Sequence, residues 1–172
     1  MPGRSLLPDL TIRPSRARDG EAISRVLSRS YGRLLVPDYP DAVLRKALPL
    51  IGRANPALVG RPTYFVAVLD GAIAGVGGWT AAAPQAGAGG AVGHVRHVAC
   101  DPDHVRKGVM RALMAVVLAT ARAAGVELMC CLSTRTAVPF YASLGFEGAA
   151  EVEVRLAPGV FLPSVEMRMT LR

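Results

Sequence analysis

The stretch HVRHVACDPDHVRKGVMRALM, residues 94–114, decides how the chain is read. A β-like run ends at Asp101-Pro102, a basic loop with one glycine follows, and then a long apolar helix begins. Val109, Met110, Leu113, Met114, Val117, Leu118 and Ala121 fall along one face of that helix, and Gly125 ends it as a C-terminal glycine does. A helix that opens at a glycine loop presents unpaired backbone N–H groups and the positive end of its dipole, which together favour an anion. Gly108 lets a phosphate approach the backbone, and Arg106, Lys107 and Arg111 add positive charge around it. The loop is neither GxxxxGK[ST] nor GxGxxG. Two readings stay open from these residues alone: a phosphate cradle, or a loop whose basic side chains are simply solvated.

Working outward, LTIRP (10–14) alternates like a short strand and ends at a proline. Asp19 is a candidate N-cap for a helix carrying Ile23, Val26, Leu27 and Tyr31 on one stripe, and a second helix is expected over Asp41 to Leu50. Residues 63–80 hold two β-rich runs divided by Asp70-Gly71, the dipeptide of a type I′ hairpin. Residues 81–93 are small and aperiodic and read as a mobile connection. Strand (92–100), helix (108–124), strand (126–132), helix (137–144) and strand (146–156) then follow in βαβαβ order, which predicts a mostly parallel sheet segment with helices packed on it. SVEMRMTL (164–171) alternates and closes the sheet as a last strand. Its edge leaves homodimer formation open. The expectation is one α/β domain over residues 1–172, with no internal repeat.

The composition narrows the function classes. Hydrophobic residues are 51% and charged residues 19%, as in a folded globular chain. The net charge of +7 comes from arginines scattered along the sequence, since Lys46 and Lys107 are the only lysines, and aromatics are 5%. That pattern argues against a nucleic-acid track or a stacking platform. No apolar run reaches the length of a spanning helix and the first residues lack a signal-peptide core, so a cytoplasmic protein with no membrane partner is expected. The three cysteines form no CxxC pair. His94, His97, Cys100 and His104 look like a ligand string, but steps of three along a strand alternate faces, so no metal site is expected.

The segment RHVACDPDHVRKGVMRALM resembles the acetyl-CoA-binding motif of the GCN5-related N-acetyltransferase (GNAT) superfamily, a strand ending in Val-x-Pro followed by Q/R-x-x-G-x-G/A at the start of a helix. Downstream, TAVPFYASLGFE (136–147) resembles the superfamily's A-x-x-F-Y-x-x-x-G-F segment, and TIRPSRARDGEAISRVL (11–27) looks like its usual first strand and helix. In the six-residue motif Gly108 keeps the central glycine, Val105 takes the Q/R place and Met110 stands where Gly or Ala is usual.

The resemblance implies a GNAT-like acyl-CoA N-acyltransferase fold. Its mixed sheet would have six to seven strands, flanked by about four helices and opened between the fourth and fifth strands. It implies acetyl-CoA as cosubstrate, an amine acceptor and no metal. Val98, Ala99 and Cys100 would meet the pantetheine arm, Arg106, Lys107, Gly108, Val109, Met110 and Arg111 the pyrophosphate, and Ser133, with Thr134, the region of the sulfur. Tyr141 occupies the place of the family's general acid, against the alternative that it packs in the core beside Phe140 and Leu144. His94 occupies a place where many relatives carry Glu or His and would be the general base, with His97 second and a water chain as a further route; both histidines could instead be hydrogen-bonded sheet residues. Strand alternation puts His94, Arg96 and Val98 on one face and Val95, His97 and Ala99 on the other, unless a bulge intervenes. The alternative to an enzyme is a non-catalytic acyl-CoA-binding module.

Overall fold

The computed structural model describes residues 9–81 and 91–171. Its elements, in chain order, are β1 (Leu10–Pro14), α1 (Gly20–Leu34), α2 (Asp41–Ile51), β2 (Tyr64–Leu69), β3 (Ala72–Ala81), β4 (Ala91–Cys100), α3 (Val109–Ala123), β5 (Val126–Thr134), α4 (Val138–Leu144), β6 (Glu147–Ala157) and β7 (Val160–Thr170). The strands form one sheet in the order β1-β2-β3-β4-β5-β7-β6. Asp70 and Gly71 sit at φ 50° and 81° and turn β2 into β3, as the dipeptide predicts. Of the expected mobile connection, Ala81 and residues 91–93 belong to strands, and 82–90 lie outside the described residues.

Among the described residues only β4 and β5 pair in parallel, joined by the α3 crossover. The expected parallel extension through α4 does not form, because β7 lies antiparallel to β5 and β6 is pushed one place outward. Burial decides the order. Val165, Met167 and Met169 of β7 pack on the core, whereas residues 147–151 of β6 are all exposed and suit an edge. Gly159, at φ 73°, closes the tight β6–β7 hairpin. The last strand is therefore interior, and the free edges are β1 and β6.

Two layers of helix cover the sheet. On one face α3 buries Leu113, Met114, Val117 and Ala121 against Phe65, Ala67, Trp79, Met129 and Met167, with Tyr141 of α4 in the same core. On the other face α1 buries Ile23, Val26 and Leu27 against Tyr64, Val66, Val76 and Ala99. Asp19 precedes α1 but does not cap it: its carboxylate accepts from Arg16 N (2.7 Å) and from the Arg13 guanidinium (2.8 and 3.0 Å), which hold it below the usual carboxylate range. Among the described residues no helix is long and apolar enough to cross a membrane.

Gly78 on β3 has no room for a side chain, since a Cβ there would stand 2.2 Å from the Thr63 carbonyl oxygen and 2.6 Å from Tyr64 Cα. Gly78→Ala is expected to lower stability by about 1–3 kcal/mol in denaturant titration. Gly20→Ala, where nothing lies within 4 Å, should leave the midpoint unchanged or raise it.

Candidate active site

The site begins with a one-residue mismatch between neighbouring strands. β3 and β4 pair as Val76↔Ala99 and then Gly78↔Arg96, so His97 and Val98 together face the single residue Gly77. His97 stands at φ 45°, a left-handed backbone that a non-glycine residue seldom adopts. Gly77 makes the bulge possible, because a Cβ there would come within 2.8 Å of the Val98 side chain and 3.2 Å of Leu113. The two bulge carbonyls find donors in tyrosines: Tyr64 OH donates to His97 O (3.3 Å) and Tyr31 OH to Val98 O (3.3 Å).

The bulge corrects the simple alternation. Val98 joins Val95 on the α3 side, while Ala99 packs under α1. His97 lines a cleft with Thr80 and Arg96. It also opens the sheet. β4 and β5 pair only as far as His94↔Cys130; beyond that, β4 runs to Cys100 beside β3 and β5 runs to Thr134 beside β7. Past that point Val98 to Cys100 have no strand partner on the β5 side among the described residues, although Val98 O accepts from Tyr31 OH.

The loop after β4 is held by α1. Arg29 donates to Asp101 (3.2 Å) and to Asp103 (2.8 Å), and Asp101 in turn accepts from Asp103 N (2.9 Å). Arg106 lies at φ 62° and Gly108 at φ 83°, and no side chain caps the first turn of α3. Left-handed residues close together aim backbone N–H groups into a concave anion-binding nest. Arg106, Lys107 and Arg111 are exposed around it, and Arg111 also donates to Ser143 (3.1 Å). Met110 turns away: its sulfur lies 2.6 Å from where a Cβ at Gly75 would be, so a glycine on β3 makes room for the large side chain. Val109 is buried beside it.

At the mouth of the gap three groups meet from three elements. Tyr141 of α4 is 4% exposed, packed between Phe140 and Phe146 (ring centroids 5.5 and 5.4 Å), with its hydroxyl beside the Cys131 thiol. Burial first, and then Cys131, raises its pKa well above that of a free phenol, so it keeps its proton. Burial pushes Cys131 up to about 12, and burial with Cys131 nearby raises Tyr31. Cys100 is likewise pushed up to about 11, chiefly by burial. Ser133 is enclosed and donates its hydroxyl to Thr134 O (2.7 Å), so that hydroxyl is already engaged.

His94 stands opposite Thr80 on β3 and Cys130 on β5, half-buried, and shares its face with Arg96. Burial and then Arg96 lower its pKa, and the same two causes act on His97, whose buried Nδ1 has no partner among the described residues. Tyr141 lies on the α3 face and His94 on the α1 face, and the gap joins the two sides. Among the described residues no three His, Cys, Asp or Glu side chains gather as a metal-binding group. Sequence reasoning missed the roles of Tyr31, read only as part of an apolar helix stripe, and of Tyr64, unremarked in a β-rich run, and Arg106's left-handed backbone, for which the sequence carries no signal.

The family model described as "Acetyltransferase (GNAT) family" matches residues 28–146. A GCN5-related N-acetyltransferase structure from Rhodopseudomonas palustris, described as "Aminotransferase, Class-II", superposes with a TM-score of 0.77 at 19% identity, covering 98% of this chain and all of that one. PaiA N-acetyltransferase from Thermoplasma acidophilum, solved with coenzyme A, gives 0.68 at 14% identity over 94% of this chain and 99% of its own. The ribosomal-protein-S18-alanine N-acetyltransferase from Escherichia coli gives 0.62 at 16% over 95% and 94%. These identities speak for the fold. No curated protein matches the sequence.

Because His94 and His97 have lowered pKa values in the folded state, the unfolded chain binds more protons as pH falls below the ordinary histidine value of about 6.5. Their contribution to stability is complete above that value and is lost as pH falls toward the lower folded values. The lowered carboxylates Asp19 and Asp101 act only further down, below about pH 4. Thermal melts from about pH 7 to 5 should show declining stability, and a shallower decline in His97→Asn, a replacement that tolerates the left-handed backbone. Parallel pH profiles would contradict this.

Proposed function

The chain belongs to the acetyltransferase (GNAT) family, and we propose that it transfers the acetyl group of acetyl-CoA to a primary amine of a small molecule or peptide by direct attack. The observation that carries this reading is the gap between β4 and β5, with an amide-rich, basic loop at one end and a protonated phenol at its mouth. Bound in the gap, acetyl-CoA supplies an acetyl group activated as a thioester.

This chain's residues divide the remaining work. The free backbone edge of Val98, Ala99 and Cys100 is suited to pair with an amide-bearing arm in strand fashion. The uncapped amides from Gly108 to Arg111, with the charges of Arg106 and Lys107, fit a pyrophosphate. Val105 is not needed for that role, since backbone groups supply the donors, and Met110 is packed away from the loop. His94, neutral near pH 7 because of its lowered pKa, takes a proton from the attacking amine directly or through a water. As the C–N bond forms and the C–S bond breaks, Tyr141 gives its phenolic proton to the departing thiolate. One proton is taken and one is given, so the protein ends with its net charge unchanged.

Three measurements test the reading. Titration calorimetry should detect acetyl-CoA binding, and no heat at millimolar coenzyme would overturn the proposal. Tyr141→Phe should lower kcat by about 10²-fold or more with coenzyme affinity nearly intact; an unchanged kcat with chemistry rate-limiting would remove Tyr141 from the mechanism. The acid limb of kcat/KM should lie below the ordinary histidine range, and His94→Gln should abolish that limb while slowing turnover. A limb that survives in His94→Gln would assign it to another group.

A further inference from the structure

On the α1 face of β4 a solvent-open cleft of about 380 Å³ is lined by Asn55, Ala57, Leu58, Arg61, Thr80, Arg96 and His97. Its volume suits a small metabolite, and it shares no residue with the basic loop at 106–111. Two arginines enter it from different elements. Arg96 projects from β4, and its Nε donates to Thr80 Oγ1 (2.9 Å) across the strand pair. Arg61 comes from the segment between α2 and β2, and its Nε donates to Ala57 O (2.6 Å). Each guanidinium is thus pinned through Nε, and among the described residues nothing engages the terminal nitrogens of either. No Asp or Glu lines the cavity, and neither arginine joins an ion pair among the described residues. Some arginines elsewhere are paired with carboxylates, as in Arg13–Asp19, Arg29–Asp103 and Arg135–Glu151.

We propose that this cavity is the acceptor site and that Arg61 and Arg96 hold a carboxylate of the acceptor, so that the substrates are amines carrying a free carboxylate. Pre-oriented guanidinium forks match a carboxylate in a bidentate manner. Asn55 and Thr80 add neutral hydrogen-bonding groups, and Leu58 a buried apolar wall. The placement also suits the chemistry. Arg96 lies two residues from His94 on the same face, a separation of about 7 Å along the strand. An acceptor anchored by its carboxylate at Arg96 therefore has its amine within reach of the bulge and of His94, directly or through a water.

The inference rests on the acetyltransfer reading, and the experiment separates the two. Coenzyme release is measured at about pH 8, where His94 and His97 are neutral with or without Arg96. The acceptors are free α- and ω-amino acids, each set against its own carboxamide, and acetyl-CoA binding is measured by calorimetry on the same preparation. The expected result is a kcat/KM at least about tenfold higher for the best carboxylate acceptor than for its amide. Arg96→Gln and Arg61→Gln should each raise KM for that acceptor about tenfold or more, with little change in kcat and none in acetyl-CoA affinity. Both residues are exposed, so folding should be preserved. Equal turnover of amides and acids, unaltered KM in both variants, or coenzyme binding without turnover of any carboxylated amine would overturn the acceptor site while leaving coenzyme binding intact. Loss of coenzyme affinity in the variants would reassign the arginines to the coenzyme. Absence of acetyl-CoA binding would overturn both readings together.

Discussion

Two residues of β4 stand against one of β3, and the rest of the site depends on that mismatch. A regular β4 would have kept pairing with β5 along its length and left no opening. His97 in a left-handed conformation bends the strand, and β5 runs on to Thr134 paired with β7 and no longer with β4. A non-glycine left-handed residue and a buried Nδ1 with no partner among the described residues both cost free energy, and such costs persist only where the surroundings over-determine them. Here the surroundings are Gly77 opposite, which leaves room for Val98, and the hydroxyls of Tyr64 and Tyr31, which satisfy the two carbonyls that leave the ladder.

The bulge also sorts the chemistry between two faces. Val98 turns into the core under α3, in the same cluster as Tyr141 and Cys131, while Arg96 and His97 line the cleft on the opposite side. A tyrosine with a raised pKa, Tyr141, and a histidine with a lowered one, His94, thus lie on opposite sides of the sheet, and the proposed mechanism joins them through its gap. That separation suits a transfer in which the leaving group and the incoming amine need opposite proton movements. The ion pairs from Arg29 to Asp101 and Asp103 tie α1 to the loop that starts α3; being exposed, they orient more than they stabilise.

Much of the architecture was legible in the sequence because it follows from local rules. The α3 stripe, the Asp70-Gly71 turn and the β4–loop–α3 junction are each decided within a few residues. Strand order was less legible. Element order marked the strand at 146–156 and alternation the one at 164–171, but neither could say that β7, with Val165, Met167 and Met169 turned to the core, would displace β6 from the side of β5. Met110 looked like a misfit in its motif until its partner Gly75, on another strand, was known. Arg61 had no signal at all, since only the fold brings it beside Arg96. Left-handed backbone at His97 and Arg106 was invisible for a simpler reason: neither residue type announces it.

The central claim is that the bulge-opened edge of β4 and the amides that start α3 together receive the coenzyme. Amide hydrogen exchange with and without saturating coenzyme A tests it most directly. Protection is predicted at Val98 to Cys100 and at Gly108 to Arg111, with little change along β1 and β6. Coenzyme binding that leaves those two segments unprotected and protects another surface instead would contradict the account.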